Sequence, residues 1–298
     1  MKKERNTNIE ALRFLLMLFI LVWHIIVHGY NLKEIGTQDF VYEGNMVLSL
    51  LLSTLTLPAT FCFIFISGYF GMTLRLKRLA ELYIWCLLIS IAQTLVQKYY
   101  LGDDIGIRDL WQSFFPITTG RWWFMTAYFQ LLLLSPFLNH GMEKLNSRKQ
   151  VIVISLIYCI SLFRMLIGKP NAGSDLMGLV LMYLLGRYFR QRSLWTPNNV
   201  KCIYVLSFLC MFIVMLTVYY LSIISGHLNM QKLIFYFMGF ANPFIILMSI
   251  CIFFFFAQLP TRKSRLLNQI FSPCLFIYLI TEGMGGGKLQ GLKTDYRI

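Results

Sequence analysis

The chain has 298 residues, of which 57% are hydrophobic and only 13% charged, with a formal net charge of +14. A soluble domain carries roughly 25% charged residues, so this composition excludes one and points to a helical protein that crosses a membrane repeatedly. The basic residues fall in short clusters between apolar runs, as topology signals do, and no nucleic-acid motif accompanies them, which argues against a nucleic-acid partner.

Apolar windows predict an all-α, polytopic transmembrane bundle of about nine spans: 9–30, 46–70, 79–97, 122–139, 150–167, 175–189, 200–224, 240–259 and 269–283. The basic start MKKER before an apolar run resembles a signal peptide. However, Arg13 interrupts the run and no small-residue cleavage site follows, so an uncleaved first helix is expected. Counted for a cytoplasmic N-terminus, the connections hold sixteen Lys and Arg inside and six outside. That asymmetry predicts a multi-pass cell-membrane protein with its N-terminus in the cytoplasm.

The first span, IEALRFLLMLFILVWHIIVHGY, contains Glu10, Arg13, His24 and His28. An ionisable group at mid-membrane costs at least ~2.5 kcal/mol on insertion scales, so such groups turn towards protein or a polar cavity. Arg13 and His24 are close to three turns apart, which puts them on one face about 16 Å apart along the axis. Glu10 lies one turn before Arg13 on that face. Separately, each has a structural role: Arg13 snorkels, and His24 bonds a neighbouring helix. Together they read as a functional stripe, since a histidine near neutrality suits proton transfer. His24 and His28 have the one-turn spacing of a metal pair, but no third ligand stands out, so no metal is expected.

The second span contains Pro58, expected to kink it, and ends in SGYFGMTLRLKR. Arg75 and Arg78 stand one turn apart there. On charge alone they fit a positive-inside anchor better than the alternative, a guanidinium fork for phosphate. In the outside connection 98–121, IGIRDLWQSFFP reads as a short interfacial helix. Trp122 and Trp123 follow, as an aromatic-belt pair or as a stacking platform for a sugar ring. Pro136 and Pro243 are expected near the ends of their spans. The seven cysteines have no CxxC pairing and read as small core residues. No internal repeat is evident, which counts against repeat-built transporters.

Five segments in order resemble the acyltransferase-3 family of polytopic membrane acyltransferases. These are Glu10-x-x-Arg13-x10-His24, ISGYF followed by Arg75-x-x-Arg78, WWFMTAYFQLLLLSP (122–136), YLLGRYFR (183–190) and CLFIYLI (274–280). The resemblance covers residues 5 to 283. It implies an O-acyltransferase moving an acyl group, usually acetyl, from cytoplasmic acyl-CoA to a hydroxyl of a cell-surface or lipid-linked glycan. On that basis His24 is the base or a transient acyl carrier, Arg13 holds the thioester end or steadies the carbonyl oxygen, Glu10 pairs with Arg13, and Arg75 and Arg78 hold the donor's phosphates. The alternative is a transporter or flippase whose first-span stripe lines a substrate path. Family members often carry a histidine where this chain has Thr281, and usually a tenth span. Here residues 1–283 are expected to form the transmembrane domain, followed by a polar glycine-rich tail, 284–298, of the kind a truncation or frameshift produces; such a product would be inactive.

Overall fold

The computed structural model describes residues 6–29, 46–100, 102, 104–167, 175–192, 196–239, 241–260, 264, 268 and 274–285. These form twelve helices: α1 (Thr7–Gly29), α2 (Met46–Thr56), α3 (Pro58–Phe70), α4 (Leu76–Tyr99), α5 (Ile107–Phe114), α6 (Trp123–Lys144), α7 (Ser147–Leu166), α8 (Leu176–Arg190), α9 (Pro197–Ser225), α10 (Leu228–Phe237), α11 (Pro243–Ala257) and α12 (Cys274–Gly285). No strand occurs among the described residues. The glycine-rich tail lies outside them, apart from the end of α12.

Among the described residues, five helical segments are long and apolar enough to cross a membrane: Thr7–Ile26, Met46–Phe70, Leu76–Tyr99, Ser147–Leu166 and Asn198–Ser225. The remaining four of the nine expected spans fall on α6, α8, α11 and α12. The last three have 15, 15 and 12 residues, which extend only about 18–23 Å at the helical rise. Among the described residues, then, five of the nine expected spans meet the requirement by their own length and composition.

α4 is apolar outward and polar inward. On α4, Ile84, Trp85, Leu88 and Leu95 are exposed, while Ser90, Gln93 and Thr94 are buried. That is the reverse of a helix in water and is what a lipid surround selects.

Pro58 splits the second expected span in two. It has no N–H for the Thr54 carbonyl, so the helical ladder stops there and α3 restarts with Pro58 at its first turn. Ser249 of α11 donates to the Pro58 carbonyl at 2.9 Å and anchors the break. Pro243 begins α11, as expected. Pro136 departs from expectation: it lies well inside α6, which runs on to Lys144. The Leu132 carbonyl that Pro136 leaves without an N–H accepts instead from Ser135 Oγ at 2.8 Å. With that carbonyl satisfied, the helix continues past the proline.

At the core, α3 packs against α8, α11 and α1. The α3–α8 crossing is close because both helices present glycine. A Cβ on Gly186 would stand 2.5 Å from the Phe65 carbonyl and 2.6 Å from Tyr69 N, and one on Gly68 would overlap the Tyr183 carbonyl. Small residues that let backbones touch are the usual means of joining helices in lipid, where burial alone gives little drive. Around the crossing, Phe65 meets Phe253 edge-on at 5.1 Å and Tyr69 lies 4.6 Å from Phe253. This crossing fixes the SGYF and YLLGRYFR segments against each other.

Candidate active site

α1 positions the first group of polar residues. Glu10 is buried, and its Oε1 accepts from Arg13 Nη1 at 2.7 Å, the spacing of neighbours on one helix face. Arg13 keeps about a third of its side chain exposed (35%). Tyr128 of α6 lies near both Arg13 of α1 and Ser67 of α3. The first helix, the SGYF segment and the WWFMTAYF segment thus converge around the Arg13 guanidinium.

His24 lies further along α1, and its partner comes from the other end of the chain. Its Nε2 stands 2.5 Å from Glu282 Oε2, with both side chains about four-fifths buried. Sequence reasoning missed Glu282. It stands beside Thr281, the position where a histidine was expected, and one glutamate after an apolar run carries no spacing signal. α12 is held in register by Gln93 of α4, whose Nε2 donates to the Leu279 carbonyl at 2.7 Å and the Ile280 carbonyl at 3.1 Å. Tyr278 packs its ring 5.6 Å from Phe124, which ties α12 to α6 as well. Glu282 therefore reaches His24 through two independent helix contacts.

Arg75 and Arg78 lie together at the start of α4, but not on one helical face as expected. Arg75 is the residue before the helix, with extended backbone (φ −129°, ψ 114°), and Arg78 is in the first turn. Both are exposed, neither makes an ion pair among the described residues, and no side chain caps the helix. Two guanidinium groups beside the positive end of a helix dipole form an anion-attracting corner. A network set by Tyr183 of α8 fixes this corner. Its hydroxyl accepts from Met72 N at 3.0 Å and donates to Asn139 Oδ1 at 2.7 Å, and Asn139 Nδ2 donates to the Met72 carbonyl at 2.9 Å.

The two tryptophans differ. Trp122 is fully buried, whereas Trp123 is partly exposed. Arg121 places its guanidinium 5.8 Å from the Trp122 ring and donates from Nη1 to Ser90 and Thr94 at 3.0 Å and to Ser113 at 3.3 Å. Burial pushes the Arg121 guanidinium below its usual value, partly offset by Asp109. The short helix expected within IGIRDLWQSFFP (105–116) is present as α5. Exposed Ile107, Leu110, Trp111 and Phe114 line one side of it, and buried Ser113 faces the Arg121 cluster.

The side chain of His28 lies outside the described residues. Among the described residues no three His, Cys, Asp or Glu converge as a metal site would require. The six described cysteines are free thiols.

Apolar faces turned outward and ionisable pairs turned inward define a multi-pass helical membrane protein with a polar interior along its first helix. The family profile described as an acyltransferase domain matches residues 6–281, and the chain belongs to that family, acyltransferase-3. Membership makes acyl transfer the activity class of the fold. No curated protein and no solved structure matches the chain.

Proposed function

We propose that this chain is a membrane O-acyltransferase. It moves an acyl group, acetyl being the family's usual one, from cytoplasmic acyl-CoA to a hydroxyl of a cell-surface or lipid-linked glycan. The observation that carries this reading is the His24–Glu282 contact on the same helix as the Glu10–Arg13 pair. Glu282 holds the imidazole and stabilises the cation that forms when His24 takes up a proton.

The acceptor oxygen attacks the thioester carbonyl while its proton passes to His24. The carbonyl re-forms as the CoA thiolate departs and is reprotonated, while Arg13, about three turns nearer the cytoplasm on the same helix face, holds the donor. In the second form of the same chemistry, His24 carries the acyl group before the hydroxyl receives it. Glu10 keeps Arg13 in place and lowers the cost of its burial. Arg75 and Arg78 bind the donor's phosphates. Trp123 offers a ring face to the acceptor sugar, whereas Trp122, expected to share that role, is fully buried and closed to it.

The basic-residue asymmetry supports a cytoplasmic N-terminus and a cytoplasmic Arg75/Arg78 corner. Residues 1–283 would constitute the acyltransferase domain and 284–298 a tail. In that arrangement α6, α8, α11 and α12 complete nine crossings.

Membrane vesicles supplied with acyl-labelled acyl-CoA on the cytoplasmic side test this reading. Label transferred covalently to glycan by the wild type, and lost in His24→Ala at equal protein level, is the expected result. Uptake of substrate without covalent transfer would replace it with the transporter or flippase reading.

A further inference from the structure

Arg187 stands at the same end of the bundle as Arg75 and Arg78 and carries none of the roles above. It lies in the last turn of α8, with its side chain only 16% exposed. Its Nη2 is 3.2 Å from Glu143 Oε1 on α6, whose side chain is 62% exposed. Its Nε is buried and has no hydrogen-bond partner among the described residues. Its Nη1 lies over the turn that follows α3, where Gly71 has a φ of +79° and a Cβ would stand 3.0 Å away. Arg75 is four positions beyond Gly71, at most about 14 Å of extended chain, so the guanidinium is within about 18 Å of the Arg75 backbone.

An arginine that served only to balance the helix dipole would keep its head in water. This one is drawn under the α3–α4 turn, half-satisfied by one largely exposed carboxylate. A guanidinium has five donors, and a phosphate takes two of them in parallel.

We infer that Arg187 is a third donor-binding arginine, and that Glu143 holds it in the empty state and yields it to a phosphate of the incoming acyl-CoA. This rests on the donor reading of the Arg75/Arg78 corner. The exchange is ionic and forms no covalent bond. The carboxylate is released to water, where its exposure makes the loss small, and the dianionic phosphate takes its place.

The test uses the full chain in lipid nanodiscs and compares CoA with pantetheine, which lacks the phosphates beyond the thiol arm. Wild type is expected to bind CoA at least tenfold more tightly than pantetheine. Arg187→Gln should weaken CoA binding about tenfold and leave pantetheine binding unchanged. Equal losses for both ligands, or for neither, would overturn the inference. Glu143→Gln guards against a folding defect, because it is expected to tighten CoA binding severalfold and steepen its salt dependence. Unchanged or weaker CoA binding in that variant would also overturn it. If wild type itself does not distinguish CoA from pantetheine, the donor reading of the arginine corner fails first, and that outcome is separate from an Arg187-specific one.

Discussion

The two ionisable pairs on α1 are built differently. Glu10 and Arg13 are three residues apart, and their 2.7 Å contact forms whenever the helix does. His24 and Glu282 are joined only because α12 docks beside α1, guided by Gln93 and Tyr278. The first pair is a property of one helix and the second a property of the assembled bundle. In the proposed mechanism the Arg13 charge is thus secured locally, while the orientation of the proposed base, His24, depends on the far end of the chain.

That contrast has graded consequences. His24→Ala removes the proton acceptor and should lower turnover by about 10³-fold or more at normal protein level, read as acyl transfer to glycan in vesicles. Glu282→Gln keeps the shape but loses the charge that supports the imidazolium. We expect a loss of about 10²-fold in kcat with the donor KM unchanged, measured on purified protein. A large change in KM would instead place Glu282 in donor binding.

Glu10→Gln should cost about tenfold or less, because a neutral oxygen still accepts from Arg13 and the helix keeps the two adjacent. Gln93→Leu should have the smallest effect. Losing its bonds to two α12 carbonyls removes about 1 kcal/mol, a shift of roughly 2 °C in Tm, with a few-fold drop in kcat. It should leave the Glu10–Arg13 half untouched. A thermal-shift series together with donor binding checks that separation; loss of donor binding in Gln93→Leu would erase the distinction between the pairs.

The same distinction explains what was legible in the sequence. The Glu10–Arg13–His24 stripe follows from helical spacing, and α5 follows from the interleaving of Ile107, Leu110, Trp111 and Phe114 with polar residues. Pro58 announced a break in α3's span. Glu282, by contrast, meets His24 through tertiary packing over a separation that no local period encodes. Arg75 and Arg78 were read one turn apart on a helix, but Gly71 leads into an extended stretch and α4 starts only at Leu76. Pro136 was placed near a helix end because local rules do not show that Ser135 satisfies the Leu132 carbonyl. Trp122 and Trp123 look alike in sequence, yet the start of α6 buries one and leaves the other partly exposed.

A double-mutant cycle on His24 and Glu282 tests the central claim most directly, with turnover of wild type, His24→Ala, Glu282→Gln and the double variant measured at matched protein level. If the two act as one unit, the double variant is no slower than His24→Ala alone. Losses that multiply across the two sites would contradict the account, showing that Glu282 acts independently of the base.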